Sequence, residues 1–257
     1  MIRFKSLGSG SSGNAAVVQG RDLTGMTHVL VDCGLGIRVL DKRLGLAGML
    51  ADQIDAIFIT HEHGDHIGCA RQLAWRERIP VWMSEGTYRS LGEPDFGDLL
   101  RIARDGEVID VGCLRLRPFT VPHDAREPLQ LTCTDGDVTF GVLTDLGHAT
   151  AHVLERLGGC TTLLLECNHD RELLASGPYP PFLKRRVGGA WGHLANDDAA
   201  QIAQAILPQG LRQVVAAHLS EQNNRPELAR QALEAALGSA AEIHVADGPS
   251  GSGWLSA

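Results

Sequence analysis

His61-Glu62-His63-Gly64-Asp65-His66 is the stretch from which the rest of this sequence is read. It follows the apolar run Ala56-Ile57-Phe58-Ile59, which has strand length and strand composition. Side chains alternate along a strand end, so His61 and His63 point the same way. Gly64 permits a sharp turn, after which Asp65 and His66 project from the start of a helix. The turn aims two imidazoles at one point and a carboxylate with an imidazole at a neighbouring point. That arrangement fits two adjacent divalent ions, and its ligand types suit zinc, manganese or iron better than calcium. A single histidine here would be an ordinary surface residue; three with an aspartate after an apolar strand read as ligands.

Outward from this run, other apolar strands also end in polar groups. Val29-Leu30-Val31 runs into Asp32-Cys33-Gly34, Val138 to Leu143 into Thr144-Asp145, and Gln213 to Ala217 into His218. Strands that deliver polar residues at their ends describe a site on one rim of a sheet core. Helices are expected from Ile67 to Arg78, from Asp198 to Leu207 behind an Asn196-Asp197 cap, and from Pro226 to Leu237 before Gly238. Leu114 to Leu116 and Leu129 to Thr132, the latter joined to Val138 across the Asp135-Gly136 turn, read as antiparallel strands. The pattern predicts an α+β fold of two sheets with helices outside them.

The 257 residues are 44% hydrophobic and 21% charged, enough for one sizeable core, and no composition break divides them. One domain over 1–257 is therefore expected. A net charge of −8 is not the footprint of a protein that grips nucleic acid by mass electrostatics, although it leaves room for a local basic channel. Met1 to Ser6 contains no apolar signal core, and no later run is long enough to span a membrane. Cysteines 33, 69, 113, 133, 160 and 167 are scattered without a C-x-x-C pair. They read as reduced, mostly buried thiols, with Cys33 and Cys167 beside candidate site loops. A cytoplasmic protein without a membrane or identifiable protein partner is expected.

The histidine run closely resembles the signature of the metallo-β-lactamase superfamily. The resemblance implies a four-layer αββα sandwich with a dinuclear site at the open edge of its sheets. Later strand ends then supply the remaining ligands: His123 after Phe119-Thr120-Val121-Pro122, Asp145 and His218. Mapped by motif, one ion takes His61, His63 and His123, the other Asp65, His66 and His218, and Asp145 bridges them. The implied cofactor is two divalent ions, zinc first, with manganese or iron as alternatives.

A narrower resemblance covers nearly the whole chain. Ser9-Gly10-Ser11-Ser12-Gly13-Asn14, Val31-Asp32-Cys33-Gly34, Thr144-Asp145-Leu146-Gly147, Leu165-Glu166-Cys167-Asn168-His169-Asp170, Gly192-His193-Leu194 and His218-Leu219-Ser220-Glu221-Gln222-Asn223-Asn224 resemble the bacterial YycJ/WalJ group. That group is regarded as metal-dependent phosphodiesterases of exonuclease type, which implies a DNA substrate. One departure is visible: Ala195 stands where the group's usual Gly-His-Leu-Ser-Asn has serine. His193 is similarly placed to a histidine of the tRNA-processing nucleases in the superfamily, where it approaches the scissile phosphate. The resemblance thus implies Asp65, Asp145 and His193 as catalytic groups, and imidazole is suited to proton transfer near neutrality.

Substrate contacts are expected from Lys184, Arg185 and Arg186, a basic cluster able to hold a phosphate backbone. Asn196 and His169 belong to the same candidate rim, and the loop ending at Asn14 could offer amides to a phosphate. Arg225 is a weaker candidate. Glu62 is expected to face away from the ions, Asp32 to orient a ligand histidine, and Asp124 to support His123.

The expected chemistry is attack on phosphorus by a hydroxide bridging the two ions, with His193 protonating the leaving oxygen. With neutral histidines, two ions, Asp65, Asp145 and hydroxide leave roughly +1, which favours an anionic phosphodiester over a neutral amide. Alternatives are a phosphodiesterase of small nucleotide or cyclic substrates, a thioester or amide hydrolase, and a silent metal-binding regulator. A diiron redox protein of this fold would typically replace His63 by glutamate and add a flavin domain.

Overall fold

The computed structural model describes residues 1–23, 25–248 and 250–257. Two seven-stranded sheets face each other. In the first, β1 (Ile2–Gly8), β2 (Ala15–Arg21) and β3 (Met26–Val31) are antiparallel, and β4 (Ala56–Phe58), β5 (Val81–Met83) and β6 (Leu100–Ile102) continue parallel to β3. The second repeats the plan. There β7 (Ile109–Val111), β8 (Leu114–Thr120), β9 (Leu129–Thr134) and β10 (Thr139–Leu143) are antiparallel. Then β11 (Thr162–Glu166), β12 (Gln213–Ala217) and β13 (Glu242–Val245) run parallel to β10. β14 (Leu255–Ser256) closes the first sheet against β1.

The helices are α1 (Ile37–Leu46), α2 (Gly64–Ile67), α3 (Ala70–Glu77), α4 (Glu85–Ser90), α5 (Ala151–Leu157), α6 (Arg171–Ser176), α7 (Pro181–Val187), α8 (Asn196–Ile206) and α9 (Pro226–Leu237). Alternation along the strands sorts the apolar side chains into three layers of packing. Phe4, Val18, Phe58, Leu131, Phe140 and Leu164 meet between the sheets. Leu30 and Ile57 pack outward with Leu40, Leu44 and Leu73 of α1 and α3. Leu163 and Leu165 pack outward with α5, α8 and α9. Both faces of each sheet are covered, which is why the central strands read as continuous apolar runs. Phe4 and Phe140 stack at 4.2 Å between centroids, worth about 1 kcal/mol beyond area burial. The result is the expected αββα sandwich, and no helix among the described residues is long and apolar enough to cross a membrane.

Two element boundaries differ from expectation. The helix expected over Ile67 to Arg78 is broken into α2 and α3 at Gly68, whose φ is +29°. A Cβ on Gly68 would lie 2.5 Å from the Cys33 carbonyl oxygen, so the chain must bend there to pass β3. The helix expected from Asp198 begins at Asn196, with Ala195 at the N-cap and no side-chain cap bond. Serine is among the best N-cap residues because its oxygen accepts a first-turn N–H. Ala195→Ser should therefore raise unfolding stability by about 1 kcal/mol in urea titrations. An unchanged or lowered midpoint would show that this buried position does not admit the hydroxyl.

Candidate metal centre

Every polar group singled out at a strand end reaches the same rim. Asp32 follows β3, Thr60 and His61 follow β4, His123 follows β8, Asp145 follows β10 and His218 follows β12. Asp32, Asp145 and His218 have φ of 60°, 54° and 55°. Left-handed backbone at non-glycine residues costs of order 1–3 kcal/mol and persists only where surroundings enforce it. Here it turns three side chains from the strand ends toward one point.

The side chains form overlapping clusters. His61, His63 and His123 offer ligand atoms within 4.8 Å of one another, and so do Asp65, His66 and His218. His61 Nε2 and His123 Nε2 lie 3.0 and 3.3 Å from His63 Nδ1. Asp145 adjoins the second cluster, with Oδ2 3.1 Å from His66 Nε2 and Oδ1 3.1 Å from His218 Nδ1. It also joins His61 and His66 in a third group of the same compactness.

Outer partners orient the rings. His66 Nδ1 donates to Asp32 Oδ2 at 2.7 Å, as expected of Asp32. Asp32 also accepts from the Thr60 backbone and hydroxyl, so the hydroxyl oxygen is left to accept from His61 Nδ1 at 3.0 Å. His123 Nδ1 donates to the Gly192 carbonyl at 3.0 Å. Each arrangement places the proton on Nδ1 and a lone pair on the inward Nε2, the tautomer a metal ligand needs. His123 Nδ1 is thus oriented by a backbone carbonyl, while Asp124 pairs with Arg186 at 2.6 Å and approaches His123 Nε2 to 3.4 Å. Glu62 turns away, accepting from the Arg126 backbone N–H at 2.8 Å.

Electrostatics point to a cation. Burial, reinforced by His66, pushes the His61 pKa well down, and burial lowers that of His123, so both stay neutral. Burial also opposes charge on His66 and His218, yet the carboxylates overcome it: Asp145 and Asp32 for His66, Asp145 and Glu166 for His218. Positive charge is thus stabilised where the clusters meet. Asp145 Oδ2 and His218 Nδ1 are sealed from solvent without a well-formed hydrogen bond. Inward lone pairs, unsatisfied polar atoms and a field that draws protons all fit divalent ions held by these side chains.

Gly34 shows how tightly the rim is built. A Cβ there would lie 1.7 Å from the Asp65 carbonyl oxygen, so only glycine lets this loop seat Asp65. On the other side, Ser9 Oγ accepts the His218 N–H at 2.6 Å.

Glu166 is the residue of this site to which sequence reasoning gave no role. Fully buried at the end of β11, it accepts from the backbone N–H groups of Leu146 and Leu194 at 3.1 Å each. Its Oε1 lies 2.7 Å from His193 Nδ1 and 3.2 Å from His218 Nδ1. Burial works against its charge, but His193 and His218 hold its pKa down at about 2. Reciprocally, Glu166 and then Asp145 raise the His193 pKa against the effect of burial. His193 therefore carries a proton on Nδ1 and leaves Nε2 for the cavity it lines. The available signal was a single carboxylate closing the apolar run Thr162-Leu163-Leu164-Leu165.

The expected substrate contacts are placed unevenly. Arg186 lines the cavity beside the clusters. Lys184 Nζ is drawn to the Ala175 carbonyl at 2.6 Å, and Arg185 stands exposed outside the cavity lining. Asn196 is buried and doubly bonded to Asn224 at 2.9 and 2.8 Å. His169 is buried and does not line the cavity; burial lowers its pKa to about 4. Asn14 is buried with its amide nitrogen 3.0 Å from His66 Nε2 and 3.3 Å from Asp65 Oδ2, among the ligands themselves. Arg225 bonds the Asn224 carbonyl at 2.8 Å.

Comparison with known proteins bears on this site. The family model described as the β-lactamase superfamily domain matches residues 27–219. Exodeoxyribonuclease YycJ of Bacillus anthracis is 32% identical, with 96% of each chain covered. Exodeoxyribonuclease WalJ of Streptococcus pneumoniae serotype 2 is also 32% identical, covering 96% of this chain and 94% of its own. Among solved structures, the metallo-β-lactamase fold protein YhfI of Bacillus subtilis superposes with a TM-score of 0.77 over 100% and 99% of the two chains. At 18% identity that likeness concerns the fold.

Proposed function

We propose, from the premise that this chain belongs to the β-lactamase superfamily and within it to the YycJ/WalJ family, that it is a dinuclear metal-dependent phosphodiesterase that shortens DNA from an end. His61, His63 and His123 would hold one divalent ion, Asp65, His66 and His218 the other, with Asp145 between them. Zinc is the first candidate, with manganese or iron as alternatives. Bound there, the ions supply Lewis acidity toward water and toward the phosphoryl oxygens.

The observation that carries the reading is His193, held by the buried Glu166 and lining the cavity that both clusters reach. Glu166 fixes the imidazole and keeps it protonated; His193 then offers a proton to a leaving alkoxide, the poorest leaving group in phosphodiester hydrolysis. Arg186, held by Asp124 at the cavity edge, is the cation placed to meet a neighbouring phosphate.

Glu166 and Asp32 add two buried carboxylates to the site, moving the count from roughly +1 to roughly −1 with neutral histidines. A protonated His193 brings it back to about zero. Residual positive charge therefore does not select the substrate; the family does.

The direct test is end-labelled DNA incubated with zinc- or manganese-loaded protein. Stepwise, metal-dependent shortening is expected. Cleavage of bis-p-nitrophenyl phosphate with DNA left intact would replace this reading by a small-molecule phosphodiesterase, which the net charge of −8 would suit.

A further inference from the structure

The cavity beside the clusters, about 360 Å³, has two unlike sides. His63, Asp65, Asp145, His193 and His218 make the polar side. The other side is built by α7 and the residues leading into it: Tyr179, Leu183 and Val187, with Arg186 among them. Leu183, Arg186 and Val187 recur at helical spacing, so one face of α7 is turned inward. Two further rings stand next to this wall. Phe182 on α7 is 65% exposed, and Trp191, two residues before His193, is 62% exposed.

The Trp191 ring is not exposed because its loop is loose. The Trp191 carbonyl accepts from Asp124 N–H at 3.0 Å and Gly192 N–H donates to Gly189 at 2.9 Å. His193 N–H donates to Val187 at 2.8 Å, and the Ala190 carbonyl lies 2.9 Å from His148 Nδ1. A rigid loop thus presents a large apolar ring to water beside a polar reaction centre. Phe182, Trp191 and Trp75 are the exposed large aromatic residues among the described chain; Phe182 belongs to α7 and Trp191 to the loop that follows it.

We propose that the α7 wall is a nucleobase subsite: Tyr179 and Leu183 pack against the base of the nucleotide being removed while its phosphodiester lies at the clusters. This inference rests on the nuclease reading of the same cavity. The occupant must carry an anionic diester on one side and a flat apolar face on the other, and a nucleotide carries both. Aromatic side chains bind any base through its π-face, so the subsite tolerates sequence. It also requires an unpaired base, because a face stacked inside a duplex cannot reach the wall.

The test compares single-stranded oligonucleotides whose cleavable end carries an ordinary or an abasic nucleotide, on the metal-loaded full chain. Wild type should lose about tenfold in kcat/KM on the abasic end, mainly through KM. Tyr179→Phe should keep that penalty, and Tyr179→Ala should reduce it to about twofold or less. Fluorescence anisotropy of the same strands should reproduce the pattern in binding. Should Tyr179→Ala fail to fold, Leu183→Ala reads the same wall. No penalty in wild type, or an undiminished one in these alanine variants, overturns the subsite and leaves the nuclease reading intact. If wild type cleaves neither these strands nor end-labelled duplex DNA, the nuclease reading falls and this inference with it; cleavage of duplex alone overturns only the subsite.

Discussion

Asp145→Asn should abolish phosphodiester hydrolysis, lowering kcat at least about a thousandfold while leaving the fold in place. The replacement keeps shape and removes charge. Asp145 is 2% exposed and lies 3.1 Å from both His66 and His218, so no solvent screens the loss. It is the carboxylate shared between the clusters, and removing it withdraws the group that can join one ion to the other. A metal centre supplies several kcal/mol of transition-state stabilisation, and each 1.36 kcal/mol is about tenfold in rate. The check is kcat on DNA together with metal content and melting temperature. Activity within tenfold of wild type, with the protein folded, would remove Asp145 from the centre.

His193→Ala should have the next largest effect, and a selective one. If the imidazole held by Glu166 protonates the leaving oxygen, cleavage of DNA should fall by about 10²–10⁴ in kcat. Bis-p-nitrophenyl phosphate, whose leaving group is weakly basic and departs without protonation, should lose about tenfold or less. A purely structural histidine would depress both substrates alike, because it would act by disturbing His123 or His218, whose rings are 5.3 and 5.4 Å away. Equal losses on the two substrates would therefore assign His193 a positioning role.

The metal run and its flanking strands were legible because their signals are local. β-Branched runs ending in polar residues specify strands and their ends, and His-x-His at a strand end fixes which side chains share a face. His123, Asp145 and His218 were legible only as motif matches in chain order. Their convergence depends on β8, β10 and β12 entering one sheet, which no local pattern states. Glu166 was missed for the same reason: a carboxylate ending an apolar strand gives no sign that two histidines from other segments will close on it. Side-chain direction was the second blind spot. Lys184, Arg185 and Arg186 look equivalent in sequence, but α7 turns only Arg186 into the cavity and spends Lys184 on the Ala175 carbonyl. Asn196, expected among the substrate contacts, is consumed by Asn224. The break at Gly68 arises from a contact with Cys33, thirty-five residues away, and so has no local signature.

The most direct test of the account is the metal content of the purified chain, by elemental analysis, before and after chelation and reloading. The account predicts about two divalent ions per chain, loss of DNA shortening on chelation, and its return in proportion to reloading. A protein that takes up no metal under any loading condition, or that shortens DNA equally well without it, would contradict it.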